Sequence, residues 1–302
     1  MKKNLCICTA LLVLLGSCAS LTSSQVAAVN QFALTSAHFS AYPSKIMRVL
    51  ADIRVKRGVY FANSLEDTDP HIEELNNLYV AMTDDYKSSA KADITFKIID
   101  KYAKALLLLS SDKHAADLDS QARTFGTDLN SLITTYNNVP GVTPVPGGLG
   151  GVVGSLILAG GKQLIRTKQA RAIREFVPRS DTLIEVMTDN LLEFLESTNI
   201  DFLIKNEERG IQSNYKSFLN QKKPVIQNER DYLELKGDLD QVKKLRSQTI
   251  AATHRLRNAH ASLLAALQEK KDLKEVIANL QTLYDSVSDV KSTLQQMDVI
   301  KN

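Results

Sequence analysis

From Pro224 to Asn302 the chain runs 78 residues without a second proline, and within that tract apolar residues return at steps of three and four. Leu273, Val276, Leu280, Leu283, Val287, Val290, Leu294 and Met297 form an a/d series over more than three heptads. Such a series belongs to a helix packed along a partner, because a strand repeats every two residues and no proline ring breaks the run. Leu235, Leu239, Val242, Leu256, Ala259, Leu263 and Leu267 carry the same character upstream. Unbroken from Asn228 to Asp298, the helix would measure on the order of 100 Å at about 1.5 Å per residue. A turn near Glu269 to Asp272, or near Gly237, would fold it into a hairpin instead.

Helical periodicity also governs the rest of the chain. Ile72, Leu75, Tyr79, Met82 and Tyr86 share one helical face, with Asp69 placed to cap it and Pro70 at its first position. Ile94, Ile98, Tyr102, Ala105 and Leu109 make a second stripe. Ser180 is placed to cap a third helix, whose inward face reads Ile184, Met187, Leu191, Phe194 or Leu195, and Phe202. No tract keeps the period-2 alternation of a strand. The expected fold class is all-α: an elongated helical bundle with long amphipathic, coiled-coil-like C-terminal helices. Breaks are expected at Pro43, 64–69, 137–148, Pro178 and 222–224, and no internal repeat is present.

The start of the chain has a different character. Lys2 and Lys3 precede the apolar run Leu11-Leu12-Val13-Leu14-Leu15, which closes on Gly16-Ser17-Cys18. A basic segment, a short apolar segment and small residues make a secretory signal, too short to span a bilayer. Leu15-Gly16-Ser17-Cys18 resembles the lipobox of bacterial lipoproteins: an aliphatic residue, two small residues and a cysteine. The resemblance covers residues 1–18 and implies removal of 1–17, diacylation of Cys18 and attachment to a lipid bilayer, with 18–24 as a tether ahead of a helical domain over 25–302. Ala19 follows in place of Asp, which by the enterobacterial sorting pattern implies the outer membrane, facing the periplasm. Cys6 and Cys8 lie within the signal and no cysteine follows Cys18, so an exported domain has no disulfide pair to form.

Of 37 basic residues, Lys2 and Lys3 leave with the signal, so 35 face 34 acidic ones. A nearly neutral chain gives no electrostatic reason to bind nucleic acid. Charge is instead absent locally: no charged residue occurs between Asp128 and Lys162, and 137–161 is rich in glycine and proline. A Walker A loop ending at Gly161-Lys162 would need glycine at Leu156 and Ser or Thr at Gln163; a dinucleotide fingerprint starting at Gly148 and Gly150 would need glycine at Val153. Neither motif is met, and no cofactor is implied.

Two readings of the uncharged segment stay open. In one it is a turn and a buried helix, with Gly147 and Gly151, and Gly150 and Gly154, spaced to let helices approach closely. In the other, 129–174 enters a bilayer as a hairpin, with Leu156 and Leu158 in the apolar leg and Lys162, Arg166, Lys168, Arg171 and Arg174 on lipid head groups. That layout resembles the head region of helical pore-forming toxins. The 13 residues from Leu149 to Gly161 fall short of the roughly 20 that span as a helix.

Catalytic and metal-binding patterns are missing. His38, His71, His114, His254 and His260 form no ligand pair and read as solvated or capping side chains. No Gly-x-Ser-x-Gly elbow is present, and the doublets Glu73-Glu74, Asp84-Asp85 and Glu207-Glu208 read as solvated helix faces. The expectation is a membrane-anchored envelope lipoprotein that binds another envelope protein through helix faces, in particular those of 228–300. A membrane-inserting protein is the alternative and an unrecognised periplasmic enzyme a third. The sequence does not set the oligomeric state.

Overall fold

The computed structural model describes residues 21–41, 45–110, 118–140, 142–160, 166–268 and 271–300. These form ten α-helices: α1 (Ser23–Ser40), α2 (Lys45–Ser64), α3 (Thr68–Ser110), α4 (Leu118–Asn137), α5 (Leu149–Gly160), α6 (Arg166–Arg179), α7 (Asp181–Leu195), α8 (Thr198–Gln221), α9 (Ile226–Leu267) and α10 (Leu273–Ile300). The class is all-α, with no strand among the described residues.

The C-terminal tract is a hairpin. Gly237 lies within α9, and the reversal comes after Leu267, next to the Glu269–Asp272 stretch, of which 269–270 lie outside the described residues. Asn279 donates to Ser262 and Thr293 to Gln248, so fourteen steps forward on α10 match fourteen back on α9. From Val276 to Met297 every a/d residue is buried, as are Leu235, Leu239, Val242, Leu256, Ala259, Leu263 and Leu267. Apolar burial at about 25 cal/mol per Å² closes the pair.

α9 and α3, each roughly 64 Å long at about 1.5 Å per residue, set the length of the bundle. α2 runs antiparallel to α3, with Arg48 on Asp93 and Tyr86 on Asp52. α1 is also antiparallel to α3, pairing Phe39 with Phe96, Phe32 with Tyr102 and Asn30 with Ser110. α8 runs parallel to α2: Arg57 meets Glu207, and Tyr60 meets Tyr215 and Phe218. α7 returns along α9, with Asp181 beside His260 and Arg246 donating to the Leu195 carbonyl. One connected core extends from Leu21 to Met297.

Several local expectations need correction. α1 begins at Ser23, held by a capping box between Thr22 and Gln25, so Ser23 and Ser24 belong to the helix and not to a tether over 18–24. α3 begins at Thr68, ahead of Asp69 and Pro70; the proline sits inside the first turn, where its missing N–H costs nothing. Pro178 lies in the last turn of α6, and the break comes at Ser180, whose hydroxyl donates back to Phe176 without capping α7. Phe202 is exposed, off the inward face of its neighbours. The stripe Ile72, Leu75, Tyr79 and Tyr86 is exposed as well, because α3 turns Leu78, Asp85 and Ser89 inward. Pro43 lies outside the described residues.

The uncharged segment folds as an α4–α5 hairpin. Asn137 closes its loop by donating to the Val145 carbonyl and accepting from the Val145 amide, and Gly148 takes a φ of 91°. Asn130 accepts the Gly150 amide at 3.0 Å, supplying a partner to the start of α5. Gly126 and Gly150 face each other so closely that a Cβ on either would collide with the other's backbone. The close approach belongs to this pair; Gly147 lies before the helix, and around Gly147 and Gly151 there is open space. Gly150→Ala is therefore expected to lower stability by about 1–3 kcal/mol, despite the gain of roughly 1 kcal/mol in helix propensity. Thermal unfolding checks this against Gly151→Ala, which should be neutral or stabilising.

Candidate functional site

Three places concentrate chemistry. The first is a buried ionic knot between α2, α3 and α8. Glu207 has no solvent exposure and accepts from Arg54 Nε at 3.0 Å, from Arg57 Nη2 at 3.2 Å and from Arg57 Nε. Arg54 also pairs with Asp85 at 2.8 Å. Burial, offset in part by Arg54, pushes the Asp85 carboxyl up. The Arg57 guanidinium occupies the space a Cβ would need at Gly210, which places that glycine. Asp85 and Glu207 are thus core residues, a correction to reading their doublets as solvated faces. Sequence carries one signal for this: Arg54, Arg57 and Ile53, Tyr60 alternate on a helix too polar to be core throughout.

The second place is the joint of α1, α3, α7 and α9. His260 is buried, with Nδ1 3.3 Å from Asp181, and it packs against Phe32 and Tyr102. The bond to His260 holds the Asp181 carboxyl below its ordinary value. Among the described residues, His260 Nε2 and the Tyr102 hydroxyl find no hydrogen-bond partner. An Asp–His pair of this kind can orient a base, but Phe32, Tyr102 and Phe176 fill the surrounding space. His260 is neither solvated nor a cap, which corrects the sequence reading; His71 does cap, meeting the Ala62 carbonyl at 2.8 Å. Among the described residues no three His, Cys, Asp or Glu side chains group as a metal site.

The third place is one end of the bundle. Where α1 begins, α3 ends and the α9–α10 hairpin turns, an open groove of about 530 Å³ runs along α1 between Ser110 and Tyr284. Val26, Ala27 and Leu34 give it an apolar floor. α4 starts from this end, since Lys101 of α3 pairs with Asp128 at 2.7 Å and lies over Phe125. α5, antiparallel to α4, therefore runs back toward it. Gly154 is buried on α5 and Gly151 exposed; Leu156 and Leu158 lie on the same helix, and Arg166 opens α6. Cys18 and Lys162 lie outside the described residues. α5 has 12 residues, about 18 Å of helix against a hydrocarbon core of roughly 30 Å. Among the described residues no helix is long and apolar enough to cross a membrane.

Compared with known proteins, the chain matches no family model, no curated protein and no solved structure.

Proposed function

We propose that this chain is an envelope lipoprotein, anchored through acylated Cys18 and acting as a helical scaffold that engages another protein through its helix faces. The observation that carries the reading is Leu15-Gly16-Ser17-Cys18 behind a basic start and a short apolar run. It is supported by the brevity of the link: α1 starts five positions after Cys18, so an anchored cysteine holds one end of the bundle close to the bilayer. Two acyl chains, at about 0.8 kcal/mol per buried methylene, make such attachment long-lived. The partner-binding role rests on the long amphipathic helices and on the absence of any recognised catalytic motif.

Cys18→Ala is expected to abolish lipid modification. The native chain should fractionate with membranes and show an N-terminal mass of Cys18 plus diacylglycerol and acyl groups. The variant should lack that mass and lose stable attachment once its signal is cleaved. A variant that stays in the membrane fraction with an unchanged N-terminal mass rules out the anchor.

A second reading, bilayer entry by 129–174, is favoured by the direction of α5. It predicts leakage from liposomes treated with unacylated protein, lost on Leu156→Asp or Leu158→Asp. No leakage, with binding unaffected by either change, removes it.

A further inference from the structure

The opposite end of the bundle carries a paired feature that neither reading uses. α2 and α8 run in parallel and finish there, and α3 and α9 start there. The α2–α3 corner is acidic: from Gly58 to Tyr86 there is no Lys or Arg, while Glu66, Asp67, Asp69 and Glu73 are exposed. The α8–α9 corner is basic: from Arg209 to Asn228 there is no Asp or Glu, while Lys216, Lys222 and Lys223 are exposed. None of these seven side chains makes an ion pair within the described chain.

Each corner also exposes apolar surface. On the acidic side are Ile72, Leu75, Tyr79 at 65% and Val80; on the basic side are Leu219, Val225, Ile226 at 70% and Leu233 at 66%. Ile72, Leu75 and Tyr79 stand at i, i+3 and i+7 and form a continuous helical stripe, whereas Ile226 and Leu233, at i and i+7, share one face of α9 with Glu229 and Arg230 between them. An isolated exposed leucine needs no explanation, but two adjoining apolar surfaces beside an acidic and a basic corner mark an interaction surface, although the first turns of α9 also carry Glu229, Asp231 and Glu234.

We infer that this end binds a second copy of the chain in an isologous dimer, the acidic α2–α3 corner of each protomer on the basic α8–α9 corner of the other. The two corners adjoin across the end of α2, since Tyr60 reaches both Phe218 and the Asn228 carbonyl. A two-fold axis close to that end superposes unlike charges twice and buries both apolar surfaces. A partner of uniform charge would meet repulsion on one corner. A copy of this chain meets complementarity on both. The contact does not depend on Cys18 or on the anchored-scaffold reading, because it lies at the end away from the start of α1.

The test is sedimentation of the purified full-length chain in detergent across protein and salt concentration. A dimer that dissociates as salt rises is expected. Lys222→Glu with Lys223→Glu, and separately Asp67→Lys with Asp69→Lys, should each weaken dimerisation at least about a hundredfold, since like charges then face each other at both contacts. Mixing the two variants should restore the dimer, because every contact in the mixed pair again joins unlike charges. Circular dichroism and thermal unfolding check that both variants keep their helices, because Asp67 and Asp69 stand at the start of α3, where acidic side chains favour the helix. A monomeric native chain overturns the inference. So does a dimer indifferent to both variants, a mixture that stays monomeric, or a monomer that uses this end to capture a different envelope protein.

Discussion

Glu207→Ala is expected to lower the unfolding free energy by about 3–5 kcal/mol, because it leaves two guanidinium groups without their shared carboxylate in a desolvated site. Arg54 and Arg57 side chains are only 17% and 14% exposed, and Glu207 is fully buried between them. Relief of the unpaired charge comes by admitting water or by moving α8 off α2. The adjacent carboxylate makes the control: Glu208 pairs with Lys243 at 2.7 Å on the surface, and Glu208→Ala should cost no more than about 1 kcal/mol. Denaturant titration of the two single variants reads the difference directly. Replacing Arg54, Arg57, Asp85 and Glu207 together by apolar residues of similar volume should recover most of the loss, since no charge of the knot then remains buried. Equal effects at 207 and 208 would mean that water reaches the knot.

Alkaline titration should also have a large effect. Burial, with Asp231 and Tyr215 adding to it, pushes the Tyr60 phenol far up. Burial and Asp181 do the same at Tyr102, and burial with Glu193 pushes Tyr136 up to about 12. A phenol whose folded value is raised stabilises the fold fully below its unfolded value near 10, and that contribution is lost as pH rises toward the folded value. The bundle is thus expected to unfold steeply between about pH 10 and 12, with the buried phenols ionising as the helices melt. Phenolate absorbance and far-ultraviolet circular dichroism followed together check this. Smooth ionisation of all nine tyrosines near pH 10 with the helices intact would contradict it. Tyr102→Phe removes one such group without breaking a hydrogen bond, since that hydroxyl has none among the described residues, and should extend the stable range upward.

The acidic and basic corners at the far end were legible as charge segregation in the sequence, yet nothing local brought them together. Residues 58–86 and 209–228 adjoin because α2 and α8 pack in parallel, a non-local event. The Gly126–Gly150 contact was half hidden for the same reason: glycine spacing pointed to Gly147 with Gly151 and Gly150 with Gly154, whereas the partner of Gly150 sits on α4. Asp181 and His260 are 79 positions apart, so no spacing rule would pair them.

Periodicity alone determined the helical class, the a/d face of α10 and the need for a partner along it, because a helix sets the angle between its own side chains. The residue types at 15–18 likewise determined the expectation of an acylated cysteine, which is local chemistry. The choice of which face to cover belonged to the tertiary structure. α3 carries two stripes at helical spacing, Ile72–Leu75–Tyr79 and Leu78–Asp85–Ser89, and the less apolar one turns inward. It does so because Asp85 completes the knot with Arg54, and Leu78 fills the space left by Gly58. The same rule separates Glu207 from Glu208: one residue of rotation, about 100° around the helix, decides between core and solvent. Only the position of α2 says which residue receives which environment.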